Sequence, residues 1–208
     1  MHAAGVRGLE VRELPRAAFG EATRVMADAF VDDPGWIAAG PDDPGRLHTC
    51  IRRTCRGILH VVSRYGGTSW QVARDGRVAG VVTTLDPGRW PPPALTTTLL
   101  QAPGPVLAGP AAVWRALRAD SAMHKSHLRE PHVYVWTLTV APAFQRQGIG
   151  RALLADAFER AEQLGVPTYL ETANPDNLPY YRSLGFEQTG EHALPRGATL
   201  WLMLRGVR

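Results

Sequence analysis

The stretch from Val140 to Leu154 constrains this chain more than any other. A β-rich run over 133–140 stops at Ala141-Pro142, glycines follow at Gly148 and Gly150, and apolar residues then return at helical spacing: Leu153, Leu154, Ala157, Phe158, Ala161 and Leu164. A second β-rich run occupies 168–171. Strand, helix and strand in that order form a βαβ unit, whose amphipathic crossover helix lies on one face of a sheet. The loop entering the helix is also suited to anions. First-turn N–H groups lack intrahelical partners and sit at the positive end of the helix dipole, and glycines let backbone approach a phosphate closely. Arg146 and Arg151 flank those donors and add charge.

The rest of the chain reads as decoration of one α/β domain, the expectation for 208 residues. A short strand is predicted at 9–11, a helix from about Pro15 ended by Asp32-Asp33-Pro34-Gly35, and a second helix over 46–65 stopped by Gly66-Gly67. Runs 69–73 and 78–85 flank Asp75-Gly76, a hairpin signal. Residues 86–110 contain seven prolines and predict a packed, irregular insertion without an uninterrupted helix. A helix over 111–122 and a polar connection through His124 and His127 follow. Beyond the crossover helix come a short helix over 177–183 and strands at 186–188 and 199–204. His124 and His127 could share a helical face; without an acidic partner that spacing is more usual of surface residues than of a metal site, and neither is assigned a role. Cys50 and Cys55 lie roughly 140° apart around a helix, poor geometry for a disulfide, and read as buried thiols.

Composition narrows the function classes. Hydrophobic residues make up 45% and charged residues 20%, ordinary for a globular chain. Residues Met1 to Arg7 lack the apolar core of a secretory signal and no apolar run reaches bilayer length, so a cytoplasmic protein without membrane or nucleic-acid partners is expected. The net charge of +4 favours an anionic ligand but is too small for a nucleic-acid surface. No zinc-type spacing occurs, and no metal is expected.

Three phosphate readings compete at 140–154. A nucleotide P-loop needs Lys-Ser/Thr after its last glycine, where Arg151-Ala152 stand. A dinucleotide fingerprint needs a third glycine where Leu153 stands and a tighter first turn, although Glu171 lies near the distance for a ribose acid. There remains a pyrophosphate held by Gln145-x-x-Gly148-x-Gly150 at a strand-to-helix junction. These residues resemble the Arg/Gln-x-x-Gly-x-Gly/Ala motif of the GNAT superfamily of acyl-CoA-dependent N-acyltransferases. Their context matches too: Leu138-Thr139-Val140-Ala141-Pro142 before the motif, and Leu170-Glu171-Thr172-Ala173-Asn174, then Asn177-Leu178-Pro179-Tyr180-Tyr181, then Gly185-Phe186 after it. The likeness spans about 131–204, and pieces such as Arg129-Glu130-Pro131 and Leu164-Gly165-Val166-Pro167 resemble the puromycin N-acetyltransferase group within that superfamily.

The resemblance implies a mixed, mostly antiparallel sheet with splayed central parallel strands, flanked by helices. It also implies acetyl-CoA as co-substrate and direct acetyl transfer to a primary amine in a ternary complex. An aminonucleoside or other antibiotic-like amine is the favoured acceptor, an antibiotic-resistance role. An amino-acid or peptide acceptor, or an acyl-CoA-binding regulatory module without turnover, are the alternatives. Pantetheine would pair with the backbone of Leu138, Thr139 and Val140, and the pyrophosphate with Gln145, Arg146, Gln147, Gly148, Ile149, Gly150 and Arg151. Asn174 would meet the arm near the thioester. The Leu138 N–H would stabilise the oxyanion. Tyr181 aligns with the tyrosine that protonates the departing thiolate, with Tyr180 as its packing partner. The base is left open: Glu171 is the first candidate, with a role in ordering 172–177 as its alternative, and His132 through water or a backbone carbonyl as a further route, because Tyr134 occupies the position where related enzymes carry a glutamate. Phe30, Asp33, Trp36 and Tyr134 are expected to line the acceptor cleft, with helix-stop chemistry as the other reading of Asp32 and Asp33. A monomer or homodimer is expected.

Overall fold

The computed structural model describes residues 9–207, so the reading of Met1 to Arg7 lies outside the described residues. One seven-stranded sheet runs in the order β1-β2-β3-β4-β5-β7-β6, with strands β1 Val11–Glu13, β2 Gly67–Arg74, β3 Arg77–Leu85, β4 Val133–Val140, β5 Thr168–Thr172, β6 Glu187–Ala193 and β7 Thr199–Arg205. Every pairing is antiparallel except β4 with β5, which the crossover helix α7, Ile149–Leu164, connects. The predicted hairpin forms, with Asp75 and Gly76 both at positive φ. The predicted short strand begins two residues late, at Val11.

Two layers of helix cover the sheet. On one face α7 buries Ile149, Leu153 and Leu154 against Val72, Val82, Leu170 and Met203. On the other, α1 Phe19–Phe30 and α3 Pro44–Arg64 bury Met26, Ile51 and Leu59 against Val81. Cys50 and Cys55 are buried and free, as expected. The stop at 32–35 also starts a helix. Asp33 caps α2, Pro34–Ala39, by accepting from the N–H groups of Gly35 and Trp36.

The insertion corrects one expectation. Residues 94–108 are not irregular but form α4, Ala94–Gln101, and α5, Pro103–Ala108, while α6 runs Pro110–Ser126. Its prolines do not break these helices because Pro93, Pro103 and Pro110 stand at or just before helix starts and Pro105 lies in the first turn of α5, where the backbone N–H has no intrahelical partner. Helix α6 also extends four residues past its predicted end, which places His127 at its C-cap, buried, rather than on the surface; His124 is exposed and bonds within its own helix.

Candidate functional site

Strands β4 and β5 pair only at Val133–Thr168, Tyr134–Tyr169 and Val135–Leu170. Beyond that point β4 continues to Val140 on β3, and β5 to Thr172 on β7, without pairing each other. The divergence coincides with a bulge: Thr84 pairs with Val135 but Thr83 with Thr137, so Trp136 is an extra residue in β4. The bulge inverts the side-chain alternation. Val133 and Val135 reach the α7-side core before it, and Leu138 and Val140 after it. The sheet is therefore split at its centre, with the backbone of residues 136–140 lacking a strand partner on the β5 side.

The wide end of the split meets the start of α7. Gly148, at φ 81°, is its N-cap, no side chain caps the first turn and no acidic residue stands in it. Arg146 is also at positive φ, and residues 145–148 are exposed along with Arg151. Gln145 and Gln147 donate back to the carbonyls of Val140 and Ala143, holding the loop with its backbone outward. The strand-to-helix junction expected from the sequence is thus present, with an uncapped helix start between Arg146 and Arg151. Leu138 and Val140 are half-buried, and Thr139 is buried with its hydroxyl donating to Val81.

Gly150 is tightly packed at this junction. A Cβ there would lie 2.6 Å from the Tyr180 hydroxyl and 3.9 Å from Leu138. That hydroxyl is buried without a hydrogen-bond partner, and burial pushes its pKa up to about 12. Tyr180, at the head of α8, Leu178–Ser183, thus aims an unpartnered donor at the junction of α7 and β4. Tyr181 instead packs edge-on to Phe186, ring centres 5.7 Å apart, within the α7-side core. Burial, then the nearby Tyr180 and Asp33, raise its phenol above the usual range. Asn174 accepts from the Asp176 N–H at the turn after β5.

On the opposite face lies a buried polar cluster. Glu171 accepts from the Tyr169 hydroxyl at 2.9 Å and the Tyr134 hydroxyl at 3.0 Å, and His127 Nδ1 lies 3.4 Å from its Oε1. The Glu171 side chain is 2% exposed although the residue is half-buried, so what it shows to solvent at the split is backbone. Burial and Glu171 raise both phenols, which keeps them protonated donors. Trp90 stacks on His127 at 4.7 Å and meets the edges of Tyr134 and Trp136.

The sequence-predicted acceptor residues are only partly assembled. Phe30 and Trp36 come together, ring centres 5.7 Å apart, while the Asp33 carboxylate is turned onto its own helix and Tyr134 is buried at 2% exposure. His127 and Trp90 were not anticipated as site residues. A signal for the cluster exists: His132 with Tyr134, and Tyr169 with Glu171, share the period-2 phase of adjacent strands.

Comparison with known proteins places this geometry. At the sequence level, an acetyltransferase of Agrobacterium fabrum is 40% identical over 65 residues, 31% of this chain and only 47% of that protein. In structure, histone acetyltransferase HPA2 and related acetyltransferase from Corynebacterium glutamicum superposes with TM-score 0.66 at 20% identity, covering 96% of this chain and 97% of that one. The yncA protein of Salmonella typhimurium, solved with its cofactor acetyl-CoA, superposes with TM-score 0.58 at 17% identity, over 97% of this chain and 95% of its own. PaiA N-acetyltransferase from Thermoplasma acidophilum, in complex with coenzyme A, gives 0.57 at 13%, over 96% and 99%. These likenesses show the fold. The family model described as the acetyltransferase (GNAT) family matches residues 35–186, from α2 through the split strands to Phe186, and the chain belongs to that family.

Proposed function

We propose that this protein transfers the acetyl group of acetyl-CoA to a primary amine of a small molecule. The observation that carries the reading is the split between β4 and β5 opening onto the uncapped start of α7. The residues present fit coenzyme A on three counts: a strand edge free for amide pairing, an α7 start with no side-chain cap and no acidic residue in its first turn, and a buried Tyr180 hydroxyl without a partner packed against Gly150. Residues Leu138 to Val140 would hold the pantetheine arm, and residues 145–151 the pyrophosphate. Acetyl-CoA supplies the activated acyl group.

The chain's own groups then have distinct tasks. The Leu138 N–H, on the free β4 edge just past the bulge, is offered to an oxyanion. Tyr181 is proposed as the proton donor to the leaving thiolate, with Tyr180 beside it, ring centres 5.4 Å apart, as the group whose hydroxyl faces the α7 junction. Glu171 is proposed as the proton-accepting centre, acting within its buried cluster rather than as an exposed carboxylate.

An aminonucleoside or other antibiotic-like amine is the favoured acceptor. The half-buried pairs Phe30–Trp36 and Trp90–Trp136 each offer flat aromatic surface to a planar group. The test is release of free thiol from acetyl-CoA across an amine panel, with mass-spectrometric detection of product. Turnover with aromatic amines supports the reading; cofactor binding with no thiol release from any amine makes the protein a binding module instead.

A further inference from the structure

His127 and His132 face each other through their Nε2 atoms at 3.1 Å, and both are buried. Their outer nitrogens meet atoms that only accept. His132 Nδ1 lies 2.7 Å from the Glu130 carbonyl oxygen. His127 Nδ1 has no hydrogen-bond partner and lies 3.4 Å from Glu171 Oε1, an ion-pair distance. Filling this chain requires a hydrogen on each outer nitrogen and one between the rings, three in all. Two neutral imidazoles bring only two. In the neutral state, therefore, either a bare Nδ1 faces the Glu171 carboxylate or the Glu130 carbonyl oxygen, or two lone pairs face each other.

From this count we propose that His127 and His132 form a proton-sharing pair with one vacancy, and that this pair, balanced by Glu171, takes up the proton the acceptor amine gives up. The inference rests on the acetyl-transfer reading and places proton uptake on the histidine pair beside Glu171, with Glu171 as its counter-charge rather than as the acceptor itself. As the amine nitrogen bonds the acetyl carbon, one N–H bond breaks and the pair gains a hydrogen between its Nε2 atoms, going from neutral to a single positive charge. The C–S bond of the thioester breaks, the thiolate takes its proton separately from a tyrosine, and that tyrosinate regains a proton from water. The pair resets by releasing its proton to water from His132, which lines a small cavity with Asp86, Glu130 and Trp90.

The surroundings suit one added charge and disfavour two. Glu171 on β5 opposes it, and the Tyr134 and Tyr169 hydroxyls, held as donors to that carboxylate, do not compete for the proton. Trp90 stacks on His127, and the rings of Tyr134 and Tyr169 stand edge-on to it at 4.6 and 5.0 Å. Across Trp90, His124 is engaged with Asp120 on α6, and the Glu130 carboxylate favours charge on His132. Burial and the proximity of His127 lower the His132 pKa, so that both rings do not charge together.

Nitrogen-15 NMR of the histidine rings in the ligand-free protein reads the vacancy directly, from about pH 5 to about pH 8, where imidazoles change charge. The expected result is that His127 and His132 gain one proton jointly, in one step, with three of their four ring nitrogens protonated at the acid end. Two independent titrations, or only two ring protons throughout, overturn the proposal. In the full-length protein, kcat/KM for thiol release should rise with pH along the same step. His132→Asn should lose that limb and fall on the order of tenfold or more, with acetyl-CoA affinity within about twofold of the parent's. An unchanged pH profile in His132→Asn, with the shared proton present by NMR, overturns proton uptake. Absence of thiol release by the parent protein with every amine defeats the acetyl-transfer reading and with it the uptake role, while the NMR result still stands or falls separately.

Discussion

Gly150 is where one atom separates a working junction from a blocked one. Gly150→Ala puts a Cβ 2.6 Å from the Tyr180 hydroxyl, so the ring must shift. Coenzyme A affinity is expected to fall at least about tenfold, roughly 1.4 kcal/mol, with partial recovery in Gly150→Ala/Tyr180→Phe, measured by calorimetry. Tyr181→Phe is expected to lower thiol release about 10²-fold or more while changing cofactor affinity little. Equal loss of both would refute its acid role. The motif glycines were legible because backbone requirements leave a residue-type signature, whereas Tyr181 was named only through the family resemblance. Which of two adjacent tyrosines aims its hydroxyl at the junction was not, since neighbours on a helix point about 100° apart and only packing against Phe186 decides. The burial of His127 was hidden for a similar reason: it depends on Trp90, thirty-seven residues earlier in sequence, closing over it.

The elements whose faces are amphipathic were read most fully. Helix α7 shows its buried side in the spacing of Leu153, Leu154, Ala157 and Ala161, and Leu153→Ala, at a fully buried position, is expected to cost about 2–5 kcal/mol in chemical denaturation. Strand β6 was legible only at its start, because Glu187–Ala193 is an almost wholly exposed edge strand and carries no apolar alternation. Helix α2 was missed because Asp33-Pro34 serves equally as a stop and as a start. Its cap makes the distinction measurable. Asp33→Ala should cost about 1 kcal/mol of stability, whereas a mere helix stop would leave stability within about 0.5 kcal/mol.

For the molecule as a whole, the parallel β4–β5 pair follows from the βαβ pattern, while the divergence of those strands was expected only from the family resemblance. Period-2 alternation is the same in paired and unpaired strands, and the bulge at Trp136 that accompanies the split leaves no mark in composition. The buried histidine pair also gives the fold a pH signature. Because the His132 pKa is lowered in the folded state, the unfolded chain binds its proton more readily, so this residue's contribution to stability is present above about pH 6.5 and is lost as pH falls below it. Thermal melts on either side of that value should show the drop, reduced in His132→Asn. The central claim is that the split and the α7 junction are shaped for coenzyme A. Titration calorimetry of the folded protein with acetyl-CoA tests it most directly. Saturable binding of one molecule per chain, weakened by Gly150→Ala, is the expected result; no saturable heat from protein whose circular dichroism shows it folded would contradict the account.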